Sequence, residues 1–188
     1  MSTHRAYVAL GGNLGDRRAT LERAVDLLGR TPGVPGRRRG KPGVRVVAVS
    51  GFLETAPAGG PPGQPKYLNA AVAIETTLSP AELLAALHRI ESALGRDRAA
   101  EVRWGPRTCD LDILLMGATV MRTKDLTIPH PRMHERLFVL RPLAQIAPRA
   151  VHPVLRKTVR RLLRECEGQQ YEDCRRTTAG SIRAVRGV

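Results

Sequence analysis

Two aspartates one residue apart are the side chains of this sequence best suited to chemistry. Asp110 and Asp112 flank Leu111 at the start of an apolar run that predicts a strand over residues 110–116. On a strand, residues two apart project from the same face, so both carboxylates can reach one cluster of hard cations. Taken alone, such a pair is more often two ordinary surface acids, and both interpretations stay open at this point.

Four arginines on the segment leading into that strand favour a phosphate ligand. Arg96, Arg98, Arg103 and Arg107 all lie within sixteen residues upstream of Asp112. Mg²⁺ held by one or two carboxylates usually takes substrate phosphates as further ligands, and guanidinium groups neutralise charge on phosphate oxygens. Transfer of a phosphoryl-type group can proceed by positioning and charge stabilisation, without a side-chain nucleophile.

The sequence lacks the usual backbone motifs for holding nucleotide phosphates. It has no GxxxxGK[ST] motif and no GxGxxG between a strand and a helix, and the segment 11–15 (GGNLG) is only a weak echo of one. Any phosphates must therefore be held mainly by side chains and metal ions.

The elements that must position these residues follow the order strand, helix, strand, strand, helix, strand. Strands are predicted over residues 6–10, 44–54, 67–76 and 110–116, from short apolar or β-branched runs bounded by turn residues. A first helix follows Asp16 and ends near Gly29; a second begins at the capping box Ser79-Pro80-Ala81-Glu82 and ends at Gly95. This order predicts an α+β fold with a ferredoxin-like βαββαβ core, in which helices pack on one antiparallel sheet.

Two long loops rich in glycine and proline separate these elements, at residues 31–43 and 55–66. Long loops in compact domains often serve as lids or binding loops, so the second is a candidate wall of a site. The first contains the run Arg37-Arg38-Arg39, which is either a nucleic-acid contact or, more often for so short a run, simply solvated.

Composition indicates one globular domain, and its basic charge indicates either an anionic partner or simply a solvated basic surface. The chain has 188 residues, of which 42% are apolar, and a net charge of +14. Its three cysteines show no disulfide or zinc-binding spacing, and we expect neither a signal peptide nor a membrane-spanning segment. We expect a cytoplasmic monomer that acts on small molecules and not on membranes.

The last part of the sequence is predicted to be an extension of that domain. Residues 155–164 form a basic amphipathic pattern, and residues 168–188 become polar and irregular. We therefore expect a domain over residues 1–154, followed by a basic C-terminal helix and loose tail over residues 155–188. The segment after residue 153 is too short for a second folded domain, which argues against a fused enzyme.

Four blocks of the sequence together resemble the 6-hydroxymethyl-7,8-dihydropterin pyrophosphokinase family. They are YVALGGNLGDR from residue 7, YLNAAVAIET from 67, RWGPRTCDLDILL from 103 and IPHPRMHERLFVLRPLAQIAP from 128. The resemblance covers residues 6–153, in order and with the family's spacing. It implies an ATP-dependent diphosphotransferase of folate biosynthesis, which moves the terminal diphosphate of ATP to the 6-hydroxymethyl group of the reduced pterin and releases AMP.

The resemblance also implies roles for individual residues. Asp110 and Asp112 would hold two Mg²⁺ ions, and Arg96 and Arg107 would join them as catalytic residues that stabilise the transferring diphosphate. ATP-binding residues would be His88, Glu91, Arg98, Arg103, Trp104, Ile113, Thr127, His130 and Arg136. Pterin-binding residues would be Thr55, Ala56, Ala58, Tyr67, Asn69 and Phe138, with the two aromatic rings stacking on the pterin and Asn69 reading its edge.

Departures from the family pattern concern the adenine contacts and the loop that carries Arg98. Pro131 stands where many members carry an aromatic residue, Asp125 where some carry a basic one, and the loop 95–104 is longer than in short bacterial members. The alternative function is a basic ferredoxin-like module that binds nucleic acid. It is weaker, because such a sheet needs exposed aromatic residues on its central strands and because the two acids would repel phosphate without a metal.

Overall fold

The structure, a computed structural model, describes residues 3–33, 43–98, 102 and 104–184. Its strands are β1 (His4–Gly12), β2 (Val44–Val49), β3 (Leu53–Thr55), β4 (Tyr67–Thr76), β5 (Asp110–Met116), β6 (Met121–Arg122), β7 (Thr127–Ile128), β8 (Val151–His152) and β9 (Lys157–Thr158). Its helices are α1 (Arg17–Gly29), α2 (Pro80–Ala93), α3 (Leu137–Ile146) and α4 (Val159–Ala184), with a 3-10 turn at Met133–Glu135.

One antiparallel sheet organises the domain, in the strand order β2-β4-β1-β5. The central strand β1 pairs along its whole length with β4, from His4 opposite Thr76 to Gly12 opposite Leu68, and on its other side with β5. The predicted α+β class and its antiparallel sheet are confirmed. Asp110 lies opposite Gly11, so the acidic pair lies where β1 ends and β5 begins.

The second predicted strand, residues 44–54, is interrupted. Its two parts, β2 and β3, both pair with β4 but are separated by residues 50–52, where Gly51 N donates to Oε1 of Gln145 in α3 (2.9 Å). β2 also bulges at Val47, the extra residue between two consecutive pairings with β4. The break depends on a partner distant in sequence, so local patterning could not predict it.

Apolar side chains cover both faces of the sheet and form two cores. Alternate residues of β1 divide between them, because Ala6 and Val8 pack against α1 and α2, whereas Tyr7 and Ala9 pack toward α3 and α4. Strands buried on both faces are apolar at nearly every position, and β4 accordingly is buried throughout residues 70–74. Helices on both sides thus fix the sheet that carries the acidic pair.

Local signals fix the ends of α1 and α2 as predicted. The Asp16 side chain accepts from Ala19 N (3.0 Å) at the start of α1. At α2, the Ser79 hydroxyl and the Glu82 carboxylate each accept from the other residue's backbone N–H, which is the predicted capping box. Gly95 has a φ of +81°, a left-handed conformation that favours glycine, just after α2 ends.

The helices on the second face differ more from expectation. α3 contains Pro142 in its interior, a residue that argues against a helix, and periodicity assigns no element there. α4 begins after the β8–β9 hairpin, so residues 155–158 do not belong to it. The expected loose tail is wrong over residues 168–184, which continue α4. Residues 168–184 contain no proline, and the two glycines, Gly168 and Gly180, weaken a helix without ending it.

Some predictions fall on residues outside the described part of the chain. These are the Arg37-Arg38-Arg39 run, Arg103, and the last residues of the tail, 185–188. The predicted domain boundary at residue 154 lies inside the β8–β9 hairpin, in which Val151 pairs with Thr158. None of the described helices is both long enough and apolar enough to cross a bilayer.

Candidate active site

A cleft of about 510 Å³ opens where β1 ends and β5 begins. Its walls come from the loop after β3, the segment before β5, the 3-10 turn and α3. Of the predicted site residues, it is lined by Thr55, Ala56, Ala58, Tyr67, Asn69, Trp104, Arg107, Asp110, Asp112, His130, Arg136 and Phe138. Every predicted pterin-binding residue and both acids therefore line one space.

Asp110 and Asp112 both line the cleft, as their spacing on β5 predicts. Asp110 binds two guanidinium groups, with its oxygens 2.5 Å from Arg96 Nη1 and 3.1 Å from Arg107 Nη1. Burial, together with the negative charges of Asp110 and Glu91, raises the pKa of Asp112 to about 7. A carboxylate desolvated beside other acids is stabilised by a cation, so the pair suits a divalent metal ion.

The protein itself supplies only part of a coordination shell. Within the described residues, no group of three or more His, Cys, Asp and Glu side chains lies close enough together to hold an ion. Two carboxylates leave most positions of an octahedral Mg²⁺ shell to water or substrate phosphates, which is how this ion is usually bound beside nucleotides. The oxygen-only donor pair fits Mg²⁺ and does not resemble a structural zinc site.

A buried ion-pair network behind the cleft orients two of the arginines. Glu91 in α2 is fully buried, and its carboxylate accepts from Arg96 Nη1 (2.6 Å), Arg98 Nη2 (2.5 Å) and Leu111 N (2.8 Å). Arg96 is 8% exposed and also reaches Asp110, so it connects the network to the cleft. Glu91 therefore positions Arg96 and Arg98. Its carboxylate lies behind the cleft, whereas the resemblance implies that it contacts the nucleotide.

Asn13 fixes the segment that carries Arg107, a role that sequence reasoning missed. Its side chain is buried; Oδ1 accepts from Arg107 N (2.8 Å), and Nδ2 donates to Pro65 O (3.2 Å) in the loop after β3. Gly12 permits this close approach, because a Cβ there would lie 2.3 Å from the Thr108 carbonyl oxygen. The segment before β5 therefore docks on Gly12 and Asn13. The Gly-Gly-Asn pattern was the only sequence feature that could have indicated this contact.

The loop over residues 55–66 meets the segment around Trp104 at the cleft. Gln64 Nε2 donates to Trp104 O (3.1 Å), and the Tyr67 hydroxyl donates to Gly105 O (3.1 Å). Trp104 is 52% exposed and has a φ of 60°, so it is not a core anchor. The Gly/Pro loop forms a wall of the cleft as predicted, and Gln64, which the sequence did not single out, joins it to the opposite wall.

Aromatic rings and an oriented amide line the cleft. Tyr67 and Phe138 supply the rings, and the guanidinium carbon of Arg136 lies 5.6 Å from the Phe138 ring centroid. Asn69 is 6% exposed, and its Nδ2 donates to Thr55 Oγ1 (2.9 Å), which holds its amide in one orientation. Such a pocket suits a flat ring whose edge is rich in hydrogen-bond donors and acceptors.

The predicted nucleotide-binding residues are only partly brought together. Burial, together with the charge of Arg136, lowers the pKa of His130 to about 4, so this cleft imidazole is neutral near pH 7. Ile113 is 3% exposed in the core under α1 and α2, because strand alternation turns it away from the face of Asp112. Six described residues that were predicted to bind ATP or to act in catalysis do not line the cleft: His88, Glu91, Arg96, Arg98, Ile113 and Thr127.

Paired carboxylates, converging arginines and a ring-binding pocket on an α+β sheet define a class, the metal-dependent enzymes that transfer phosphate groups to a small acceptor. Residues 7–148 match the sequence model of the 7,8-dihydro-6-hydroxymethylpterin-pyrophosphokinase (HPPK) family, and the chain belongs to that family. The match contains both acids and every residue predicted to bind ATP or pterin.

Curated relatives bear the corresponding enzyme name. The 2-amino-4-hydroxy-6-hydroxymethyldihydropteridine pyrophosphokinase of Bacillus subtilis is 50% identical over 141 residues, which cover 75% of this chain and 77% of the relative. That of Pseudomonas aeruginosa is 44% identical over 144 residues, 77% of this chain and 81% of the relative. Wild-type Plasmodium falciparum HPPK-DHPS with STZ-DHP, a crystal structure, gives a TM-score of 0.70 at 15% identity over 92% of this chain. The chain spans 45% of that structure, and the likeness concerns the fold alone.

The cleft also has lining residues that the sequence did not predict. They include Gly59, Arg132, Glu135, Leu137, Arg141 and Gln170. Most of them belong to the block from residue 128, where the closely spaced arginines were an available signal. Gln170 is different, because it lies in α4, outside the residues 7–148 that match the family, and no local pattern connects it with the site.

Proposed function

We propose that this chain transfers the terminal diphosphate of ATP to the 6-hydroxymethyl group of 6-hydroxymethyl-7,8-dihydropterin, giving AMP and the pterin diphosphate in tetrahydrofolate biosynthesis. One observation carries the proposal: Asp110, Asp112 and Arg107 line the same cleft as Tyr67 and Phe138. A phosphate-handling group beside a ring pocket supports a reaction between a nucleotide and a pterin, because both substrates can then be held in reacting positions.

The two acids are the proposed metal ligands, and the proposed number of Mg²⁺ ions is two. The raised pKa of Asp112 supports this assignment, because a bound cation would relieve the repulsion between its carboxylate and that of Asp110. Bound Mg²⁺ neutralises charge on the triphosphate and polarises its phosphoryl oxygens. Asp110 and Asp112 would hold the ions, and Arg107, which pairs with Asp110 and lines the cleft, would direct its guanidinium N–H groups to phosphate oxygens.

The proposed reaction needs no nucleophile from the protein. The hydroxymethyl oxygen attacks the β-phosphorus and its proton passes to water. The bond from that phosphorus to the oxygen bridging to the α-phosphate breaks, and AMP departs with that oxygen and its electron pair. Arg107 is the main candidate for stabilising the charge that develops. Its backbone is held by Asn13, so its position is set before the substrates bind, which is the condition for efficient electrostatic stabilisation.

On the pterin side, the proposed stacking residues are Tyr67 and Phe138, and Asn69 is proposed to read the edge of the ring. Contacts from Thr55, Ala56 and Ala58 complete this side. The support is that all of these residues line the cleft and that Thr55 fixes the amide of Asn69. Stacking faces combined with an oriented amide discriminate a pterin from an apolar ring of similar size.

On the nucleotide side, only some of the proposed ATP-binding residues line the cleft. His130, Arg136 and Trp104 line the cleft, whereas His88, Arg98, Ile113 and Thr127 do not. Arg103, also a proposed ATP contact, lies outside the described residues. Contacts of Arg98 and Trp104 with ATP are proposed to form as the segment that carries them closes over the nucleotide, a common property of enzymes that must exclude water. Glu91 enters the proposal as a positioning residue.

Several finer assignments belong to the same proposal. A ferredoxin-like core is supported by the β2-β4-β1-β5 order and by the positions of α1 and α2 in the chain. The monomeric state, the cytoplasmic location and a domain division near residue 154 remain predictions. No observation in the described part of the chain favours the nucleic-acid-binding alternative.

The identity of the products tests the proposed function. The full chain is incubated with ATP, Mg²⁺ and 6-hydroxymethyl-7,8-dihydropterin, and AMP is expected as the nucleotide product. Asp110→Asn and Asp112→Asn should each lower kcat by at least about 100-fold, the usual effect of removing an electrostatic contributor to the transition state. Asp26→Asn in α1, away from the cleft lining, is the matched control. Release of ADP, or normal turnover by both cleft variants, would refute the proposal.

A further inference from the structure

The C-terminal helix α4 belongs to the second core, although it lies beyond the residues that match the family. The match ends at residue 148, whereas α4 spans Val159–Ala184. Val159, Leu162 and Cys166 are each at most 7% exposed, and they pack in the same apolar cluster as Leu140 and Leu143 of α3. The first two turns of α4 are thereby fixed against α3, the helix that carries Phe138.

The next turn of α4 brings a polar side chain to the cleft. Glu167 accepts from Arg141 Nε of α3 at 3.2 Å, and both Arg141 and Gln170 line the cleft. Residues three apart on a helix lie on one face, so Arg141 stands beside Phe138, and Gln170 stands beside Glu167. The ion pair therefore fixes the turn of α4 that carries Gln170 against α3, the helix that carries Phe138.

We propose that Gln170 is a substrate-binding residue of this enzyme, which hydrogen-bonds the pterin from α4. This inference rests on the proposed function, because it concerns the pterin that the function requires. The cleft is already lined by four arginines, Arg107, Arg132, Arg136 and Arg141, which suit the triphosphate. A neutral amide adds a donor and an acceptor without further charge, which is the chemistry that an uncharged heteroaromatic ring needs.

The proposal predicts a selective effect on pterin binding. In the full chain, Gln170→Ala should raise the KM for 6-hydroxymethyl-7,8-dihydropterin by about fivefold, the loss expected for one neutral hydrogen bond. The kcat and the KM for ATP should stay within about twofold of wild type, because Gln170 is expected to contact neither the triphosphate nor the reacting atoms. Gln170→Met, which keeps the length of the side chain and loses its hydrogen-bonding amide, should behave like Gln170→Ala.

Gln169→Ala is the matched control, because Gln169 is the adjacent exposed glutamine of α4 and does not line the cleft. It should leave all three kinetic parameters at wild-type values. Equal kinetics for Gln169→Ala and Gln170→Ala would overturn the inference, as would a Gln170→Met variant with the wild-type KM for the pterin. If wild-type protein produces AMP, either of those results sinks this inference alone. If it produces none, the proposed function falls and this inference falls with it.

Thermal unfolding separates a binding role from a structural one. Gln170 is exposed, so Gln170→Ala should unfold at the same temperature as Gln169→Ala. Saturating pterin should then stabilise Gln170→Ala less than it stabilises the control, since stabilisation by a ligand depends on its concentration relative to Kd. Equal stabilisation of the two variants by the pterin would contradict the proposed contact.

Discussion

Substitution of Glu91 by glutamine tests whether the buried ion pairs behind the cleft stabilise the protein. In the wild-type protein one carboxylate oxygen accepts from Arg96 and from Leu111 N, and the other accepts from Arg98. The glutamine amide has the same shape but only one acceptor oxygen, so its NH₂ group must face N–H donors on one side. It also leaves the guanidinium of Arg96, which is 8% exposed, with one carboxylate fewer.

The expected loss of stability follows from that geometry. Breaking a buried ion pair by removing one partner costs about 3 to 5 kcal/mol. Arg96 keeps its contact with Asp110 and with the Cys109 carbonyl oxygen, so the low end, about 3 kcal/mol, applies to Glu91→Gln. For a domain of this length, each kcal/mol shifts the melting temperature by about 2 to 4 °C, which gives a decrease of about 6 to 12 °C.

Urea and thermal unfolding of Glu91→Gln, beside a surface control, measure this loss. Glu22→Gln is a suitable control, because Glu22 pairs with Arg18 on the exposed surface of α1 and such pairs contribute at most about 1 kcal/mol. The kcat of Glu91→Gln should also fall while the structure remains folded, since Arg96 loses the partner that orients it. A difference of less than about 1 kcal/mol between the two variants would refute the ionic network as a source of stability.

Two further predictions concern Gly12 and His130. Gly12→Ala should destabilise the protein by about 1 to 3 kcal/mol and lower kcat, because its Cβ would meet the Thr108 carbonyl oxygen. Gly29→Ala is the control, because a Cβ there would meet only Val46, at 3.6 Å. Equal free energies of unfolding for the two variants would contradict the close approach at Gly12. The pKa of His130 lies near 4 in the folded state, below its ordinary value of 6.5, so the unfolded state binds the proton more readily and the free energy of unfolding should fall as pH drops from about 6.5 to 4. His130→Gln should weaken that dependence in denaturation measured against pH, and an unchanged profile would contradict the assigned pKa.

The elements predicted best are those with complete local signals. The capping box at Ser79 needs only residues within one turn, and β4 is recognisable because it is buried on both faces. The sequence predicts that Asp110 and Asp112 lie on the same face of the sheet, because strand alternation alone determines this. The prediction that Tyr67 and Phe138 belong to one site came from the resemblance to a family, since no local pattern relates these two residues.

The elements predicted poorly depend on distant partners. The break between β2 and β3 requires Gln145 of α3, and α3 itself tolerates Pro142 because its apolar face is packed against the sheet and α4. Asn13 and Gln64 act through backbone contacts to other loops, which leave no periodic pattern in the sequence. Tertiary packing decides each of these features, so sequence reasoning finds the residues only after the fold is known.

The bulge at Val47 bears on how the protein behaves at high concentration. In the described part of the chain β2 pairs only with β4, so its other side is an open edge of the sheet, with Val47 37% and Val49 41% exposed. An open apolar edge can pair with a strand of another molecule and start aggregation. The bulge increases the local twist of β2, and Arg45, ion-paired with Glu75, adds charge to it. The bulge at Val47 and the charge of Arg45 are therefore expected to hinder edge-to-edge association.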